Sequence, residues 1–177
     1  FKHGGKLVGR YNWTVDGVIG VDDYLVAISN AGDILPYQGA DPESTTDPWS
    51  IRGVYFVGAV AGSKRCASEF GGDLHILSTY GLTAMSDLLK GVVANDASNK
   101  VGIGARMAYL LQEDMKTYRI DDGWGIGFAP AEGSLIISSP IRANDVYLQY
   151  VYDISNDSFG WWREIPMLSF AEWQGVL

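Results

Sequence analysis

Short apolar segments alternate with turn residues along much of the chain. Residues 25–29 are apolar, the letters NAGD at 30–33 are a turn signal, and residues 34–37 are apolar again. This spacing predicts a β-hairpin. An acidic, proline-flanked loop follows at 40–48, and residues 49–58 (WSIRGVYFVG) predict a further strand.

The same alternation recurs downstream. Residues 66–86 contain the strand candidates CASEF, LHILST and LTAMS, separated by the turns GGD and YG. Residues 124–141 and 146–166 each hold two more strand candidates around a turn rich in Gly, Asp, Asn or Ser. The copies are roughly 40 residues apart, which is the blade period of a β-propeller. The pattern therefore predicts a mostly β fold of propeller-like blades made from short antiparallel strands, that is, a partial propeller.

One segment departs from the β pattern. Apolar residues recur near a 3.6-residue period between residues 100 and 117, at Val101, Met107, Leu110, Leu111 and Met115. Ser98 is a candidate N-cap. The spacing predicts one inserted α-helix near 100–117 that packs Met107, Leu111 and Met115 against a sheet.

Composition and charge narrow the class of protein. The chain has 177 residues, 22 of them Gly, with 6 Trp, 10 Tyr and 6 Phe, which favours many short strands joined by tight turns. We expect a single β-rich domain over 1–177, and its abrupt ends suggest a fragment of a longer protein. The net charge of −8 argues against a surface that grips phosphates. No apolar run approaches the ~20 residues of a membrane span.

The stretch 70–86 (FGGDLHILSTYGLTAMS) holds the best candidate for a catalytic site. Asp73, His75 and a Ser78 or Thr79 nucleophile can be written as a triad. Alternation along a strand places Asp73, His75 and Thr79 on one side, but the segment offers no oxyanion hole and no nucleophile elbow. We therefore expect two strands with their turns, no catalytic residue and no enzyme activity.

Cofactor and metal sites are equally poorly supported. Cys66, beside Lys64 and Arg65, is either an activated thiol or a small buried apolar residue, and we favour the latter. His3 lies at a terminus that we expect to fray. Two histidines and one cysteine match no common zinc spacing, the acidic loops match no calcium loop, and the glycines at 102 and 104 form no phosphate loop. We predict no metal and no cofactor.

The tryptophans admit two interpretations. They lie at positions 13, 49, 124, 161, 162 and 173, mostly beside the start of a predicted strand. This placement favours structural anchors of the sheets, while a sugar-stacking platform is the alternative. The pair at 161–162 is also typical of a subunit interface, where Trp and Arg are enriched.

An ordered series of sequence words resembles the tail-nozzle and head-to-tail proteins of short-tailed phages, the family also described as packaged-DNA stabilisation or tail-hub proteins. The matching words run in the same order over most of 10–173: Gly32-Asp33, Tyr37-Gln38-Gly39, Asp41-Pro42, 49–58, Lys64-Arg65-Cys66, 71–86, 128–141 and 149–164. The chain departs from the family pattern in its longer, more acidic segment at 35–48 and in Met85, where Leu or Pro is common.

The resemblance implies a β-propeller-like virion protein that forms a homo-oligomeric ring with copies of itself and contacts other tail or portal proteins. DNA would be passing cargo, and an acidic channel would let it slide. The resemblance implies no enzyme activity. The alternatives are a carbohydrate-binding or receptor-binding propeller of a phage tail and a small-ligand-binding β domain.

Overall fold

The computed structural model describes residues 1–17, 20–39, 41–91, 108–140, 142–143, 146–156, 158–167 and 169–170. The fold is mostly β, with 46% strand and 13% helix, as the sequence predicts. Its strands form three antiparallel sheets of five, three and five strands, and none of them closes into a barrel. The described ranges leave out the first part of the predicted helix with Ser98, Val101 and Met107, the glycines at 102 and 104, and Trp173.

The first sheet contains the predicted hairpin and a longer one before it. Its strands are β1 (Leu7–Gly17), β2 (Gly20–Ser29), β3 (Asp33–Gln38), β4 (Ser50–Ile51) and β5 (Tyr55–Phe56). The strand order is β1-β2-β3-β4, and β5 also pairs with β3. The hairpin predicted at 25–29 and 34–37 is confirmed as β2–β3, with Leu25 opposite Tyr37. Strand β1, which pairs with β2 along its whole length, was not predicted.

The single strand predicted over residues 49–58 is wrong. The segment pairs with β3 as two short strands, β4 and β5, separated at Arg52–Val54. The backbone carbonyl of Pro36 accepts a hydrogen bond from the Arg52 N–H at 2.9 Å, but proline has no N–H to return. Because the ladder lacks that donor, it is interrupted there and the segment bulges.

The second sheet corresponds to the stretch 66–86. It consists of β6 (Ala67–Phe70), β7 (Asp73–Ser78) and β8 (Gly81–Ala84), in that order. The last predicted strand, over 82–86, ends early, because a short helix α1 begins at Met85 and runs to Leu89. The Asp73 carboxylate accepts hydrogen bonds from the backbone N–H and hydroxyl of Ser86 and so supports the first turn of α1.

The predicted helix is present as α2 (Ala108–Tyr118). Its residues Leu111 and Met115 are buried, as predicted. Gln112 donates to the Tyr80 carbonyl at 2.8 Å, and Asp114 accepts a hydrogen bond from Tyr150. The helix is therefore tied to the second sheet and to a strand of the third.

The third sheet confirms both hairpins predicted beyond residue 124. Its strands are β9 (Gly125–Ala129), β10 (Ser134–Ser138), β11 (Arg142–Ala143), β12 (Val146–Asp153) and β13 (Ser158–Arg163). A short 3-10 helix, Pro130–Glu132, joins β9 to β10. β10 and β11 pair with one side of β12, and β13 pairs with the other side.

The three sheets share one core. Strand β6 contacts both β1 and β9, and buried side chains from all three sheets form a single apolar cluster. The Tyr11 hydroxyl donates to the Lys64 carbonyl at 2.7 Å, and the Ile126 N–H donates to the Arg65 carbonyl at 3.1 Å. These contacts fix the first and third sheets on either side of the loop that leads into β6. Since propeller blades are typically four-stranded, sheets of three and five strands leave the predicted propeller-like arrangement unconfirmed.

Candidate functional site

His75 lies in the core of the protein. It is 6% exposed, and neither ring nitrogen has a hydrogen-bond partner in the described part of the chain. Phe70 contacts its ring edge-on, with centroids 5.5 Å apart. Burial lowers the pKa of His75, and the nearby carboxylates of Asp73 and Asp87 only partly oppose that effect. The imidazole is therefore a neutral core group at pH 7.

The other members of the possible triad are engaged elsewhere. The Asp73 carboxylate accepts from Ser86 and from the Leu74 N–H. The Ser78 hydroxyl is buried and donates to the Val57 carbonyl at 2.6 Å. The structure thus brings Asp73, His75 and Ser78 into one strand without joining them by hydrogen bonds, and it assigns Asp73 and Ser78 to holding adjacent segments in place.

Cys66 is fully buried, which confirms its prediction as a small core residue. Its Sγ lies 3.7 Å from the Tyr11 hydroxyl. Burial raises the pKa of the Cys66 thiol, and burial together with the neighbouring thiol raises the pKa of Tyr11. The thiol therefore stays protonated at pH 7 and is a poor nucleophile.

The expectation that His3 belongs to a frayed terminus is wrong. Its backbone N–H donates to Asp33 at 2.7 Å, and its Nδ1 lies 2.6 Å from the same carboxylate. The His3 ring also contacts Phe56, with centroids 4.3 Å apart. The Asp33 side chain is completely buried, so the N-terminal segment covers a carboxylate that water cannot reach.

Four of the six tryptophans form two groups, one buried and one exposed. Trp13 and Trp124 are buried, and the Trp124 indole donates to the Tyr118 carbonyl at 2.8 Å, so these two are the structural anchors that the sequence predicts. Trp49 and Trp161 are each 42% exposed, so an anchoring role does not account for them.

The exposed tryptophans lie at two of the sheet edges, Trp49 directly before β4 and Trp161 within β13. Residues 49–56, which contain β4 and β5, form the first outer edge, and residues 158–165, which contain β13, form the second. Large apolar residues are exposed on both edges: Trp49, Ile51, Val54, Phe56, Trp161 and Ile165. No described strand pairs with the outer side of either edge. Sequence reasoning missed the first edge, although Ile51 and Val54 flank Arg52-Gly53 in the sequence. The second edge contains the tryptophan pair for which a subunit interface was one interpretation.

Other kinds of site find no support in the part of the chain that the structure describes. It contains no group of three or more His, Cys, Asp or Glu residues that could hold a metal ion. None of its helices is long and apolar enough to cross a membrane.

No protein-family model, curated protein or solved structure matches the chain. Family and function therefore have to be inferred from the chain's own residues.

Proposed function

We propose that the chain is a structural component of a short-tailed phage virion. It assembles with copies of itself in a ring at the tail or head-to-tail channel, contacts other tail or portal proteins, and guides or retains DNA without catalysis. The observation that carries this proposal is the pair of outer edges with exposed large apolar side chains.

Edge strands of this kind favour association. An unpaired edge presents backbone N–H and C=O groups to any other strand, and monomeric proteins usually protect it with charges, bulges or a covering segment. The first outer edge has a bulge and Arg52, but it also exposes Ile51 and Val54. Because the two edges differ, pairing the first edge of one copy with the second edge of the next is a heterologous contact, which generates a ring where the rotation closes.

The words that resemble the phage family have structural roles in this fold. Gly32 in NAGD has φ +101°, and a Cβ there would lie 2.1 Å from the Gly58 carbonyl oxygen. The Val57 N–H donates to the Gly32 carbonyl at 3.1 Å. Two words of the ordered series, Gly32-Asp33 and 49–58, therefore depend on each other for close packing. This supports a structural role for the residues that carry the resemblance.

The charge of the chain suits a passive channel better than a DNA-binding surface. With a net charge of −8, the chain repels the phosphate backbone, so DNA slides past it and is not held. In this proposal the sheets are the blades, or parts of the blades, of a propeller-like ring subunit.

Sedimentation of the purified chain tests the edge contact. Val54→Glu and Trp161→Glu each place a charge on one outer edge. Burying a side chain of this size at an interface contributes about 1.5–3 kcal/mol, so each variant should weaken self-association by at least about tenfold. Ile120→Glu is the matched control, because Ile120 is 73% exposed but lies between α2 and β9, outside both edges.

Self-association that depends on both edges and survives Ile120→Glu supports the proposal. A chain that sediments as a monomer at every concentration, or edge variants that associate as well as the parent, would count against it. Tight binding of duplex DNA in a mobility-shift assay at physiological salt would contradict the passive-channel part.

A further inference from the structure

The solvent-facing side of the first sheet carries a row of mixed side chains. Directly opposite one another on β1 to β4 are Asn12, Leu25, Tyr37 and Ile51. Their chain neighbours Trp13 and Val26 belong to the apolar core. Because successive side chains of a strand point to opposite faces, the row lies on the face away from the core.

A glycine lies in the next row. Thr14 pairs with Asp23 on β1 and β2, and Gly39 and Trp49 lie two residues beyond Tyr37 and Ile51 in the matching direction. A Cβ on Gly39 would lie 2.8 Å from the Trp49 Cα and 2.7 Å from the Pro48 carbonyl oxygen. Only glycine allows this close approach of the two backbones, which places Trp49 beside an open space shared with Asp23.

This space is a cleft of about 310 Å³, which we call the Trp49 cleft. Its lining is Asn12, Thr14, Asp23, Tyr24, Leu25, Tyr37, Gly39 and Trp49. Trp49 is 42% exposed and Asp23 and Asn12 are exposed. The Thr14 hydroxyl donates to Asp23 Oδ1 at 2.7 Å and so holds the carboxylate beside the cleft.

We propose that the Trp49 cleft binds a neutral sugar ring. A pyranose has an apolar face of C–H groups, which stacks on an aromatic ring, and a rim of hydroxyl groups, which need hydrogen-bond partners. Trp49 and Tyr37 offer the aromatic surface. Asp23 offers carboxylate oxygens that accept hydrogen bonds, and the Asn12 amide both donates and accepts. Aromatic walls with a few placed polar groups are the usual composition of a small-molecule site.

Charge and size restrict the ligand further. Asp23 and the net charge of −8 disfavour phosphates and acidic sugars, because like charges repel. Binding clefts usually span about 300–1,000 Å³, so 310 Å³ is enough for one ring or the end of a short glycan. A quaternary ammonium ion would use the aromatic faces and the charge of Asp23, but it would leave the Asn12 amide without a hydrogen-bonding ligand partner, so a sugar uses more of the cleft.

Two-dimensional ¹H–¹⁵N NMR of the full chain tests the cleft. The probes are the methyl glycosides of glucose, galactose, mannose and N-acetylglucosamine, titrated separately, with choline chloride as a cationic probe. The Trp49 indole signal is assigned with Trp49→Phe. We expect at least one glycoside to shift this signal and neighbouring backbone amide signals saturably, with a Kd of about 1 mM, the affinity that an ordinary ligand efficiency gives a single ring. The amide signals report binding in the variants that lack the indole.

The variants separate stacking from general damage to the fold. Trp49→Ala should weaken glycoside binding at least about tenfold, Trp49→Tyr should restore most of it, and Asp23→Asn should weaken it severalfold. Tyr109→Ala is the matched control, because Tyr109 is an exposed aromatic residue (72%) that lies on α2, away from the cleft and from both outer edges, and it should bind like the parent. Since Trp49, Asp23 and Tyr109 are surface residues, unchanged thermal unfolding should accompany all four variants.

Three results would overturn the assignment. The first is that none of the glycosides shifts the Trp49 signal saturably, even at concentrations far above about 10 mM. Such a result would mean that the Kd lies above about 10 mM and that the affinity is negligible. The second is an equal loss of binding in Tyr109→Ala and Trp49→Ala. The third is a shift with choline alone, which would identify the cleft as a cation site.

Discussion

Replacing His75 with leucine should stabilise the protein. Both ring nitrogens of His75 are buried without a partner among the described residues, and a buried polar group left unsatisfied costs roughly 1–3 kcal/mol. Leucine has a similar volume and no polar atoms. The change also removes the edge-on contact with Phe70, worth about 0.5–1.5 kcal/mol. We therefore expect His75→Leu to raise the free energy of unfolding by about 1 kcal/mol at pH 8.

The gain should grow in acid. Burial lowers the pKa of His75 below its ordinary value of 6.5, so the unfolded chain takes up a proton that the folded chain excludes. The contribution of neutral His75 to stability is complete above pH 6.5 and is lost as the pH falls below it, with a slope of at most about 1.4 kcal/mol per pH unit. His75→Leu has no such group, so its advantage over the parent should increase between pH 7.5 and 5.5.

Urea unfolding followed by tryptophan fluorescence at several pH values measures both effects. Both proteins carry His3→Gln, so that His75 is the only histidine in the parent and the pH profile reports on it alone. Parallel pH profiles for the two proteins would refute the proposed proton uptake. A loss of stability at pH 8 in His75→Leu would show that the imidazole nitrogens contribute favourable hydrogen bonds.

Two further predictions concern buried groups. Burial alone would raise the pKa of Asp33, but the hydrogen bonds from His3 outweigh burial and lower that pKa below 3.8. Asp33→Asn should therefore lower the free energy of unfolding in urea by about 1.5–3 kcal/mol at pH 6. This difference should shrink as the pH falls through the folded-state pKa of Asp33. Equal costs at pH 6 and at pH 2 would contradict this. Cys66 should react with a disulfide reagent only as fast as the protein opens, at least about a hundredfold slower than an exposed thiol introduced as Tyr109→Cys; equal rates would show that Cys66 is accessible.

Local turn chemistry allowed most of the hairpins to be predicted. The turns around Gly32, Gly71 and Gly133 each join strands that pair antiparallel, as the sequence indicates. The buried face of α2 followed from the spacing of Leu111 and Met115. These features depend on residues close together in the chain, and periodicity and turn signals report on such residues directly.

The errors arise from contacts between distant residues. The strand expected over 49–58 is broken because Pro36, on the neighbouring strand, has no N–H to donate. The strand expected over 82–86 ends because Asp73 supports the first turn of α1 through Ser86. His3 is held by Asp33, 30 residues away. The partners lie 13 to 30 residues apart, further than turn signals and strand alternation reach.

The sites were harder to predict than the strands for the same reason. The Trp49 cleft combines residues of β1, β2 and β3 with Trp49, and Trp49 is placed there by the close approach of its backbone to Gly39. Tryptophan positions alone favoured structural anchors, and Trp49 and Trp161 could be recognised as surface residues only once the sheet edges were known.

The composition and DNA content of phage particles test the central claim most directly. The proposed function requires that a phage genome encode the chain. Particles of that phage are compared with particles of the same phage that carries an amber codon at Trp124 and is grown in a non-suppressing host. We predict that the chain is found in the tails of normal particles in several copies, and that amber particles assemble heads that lose their DNA. Normal particles that lack the chain, or amber particles that keep their DNA and remain infectious, would contradict the proposed function.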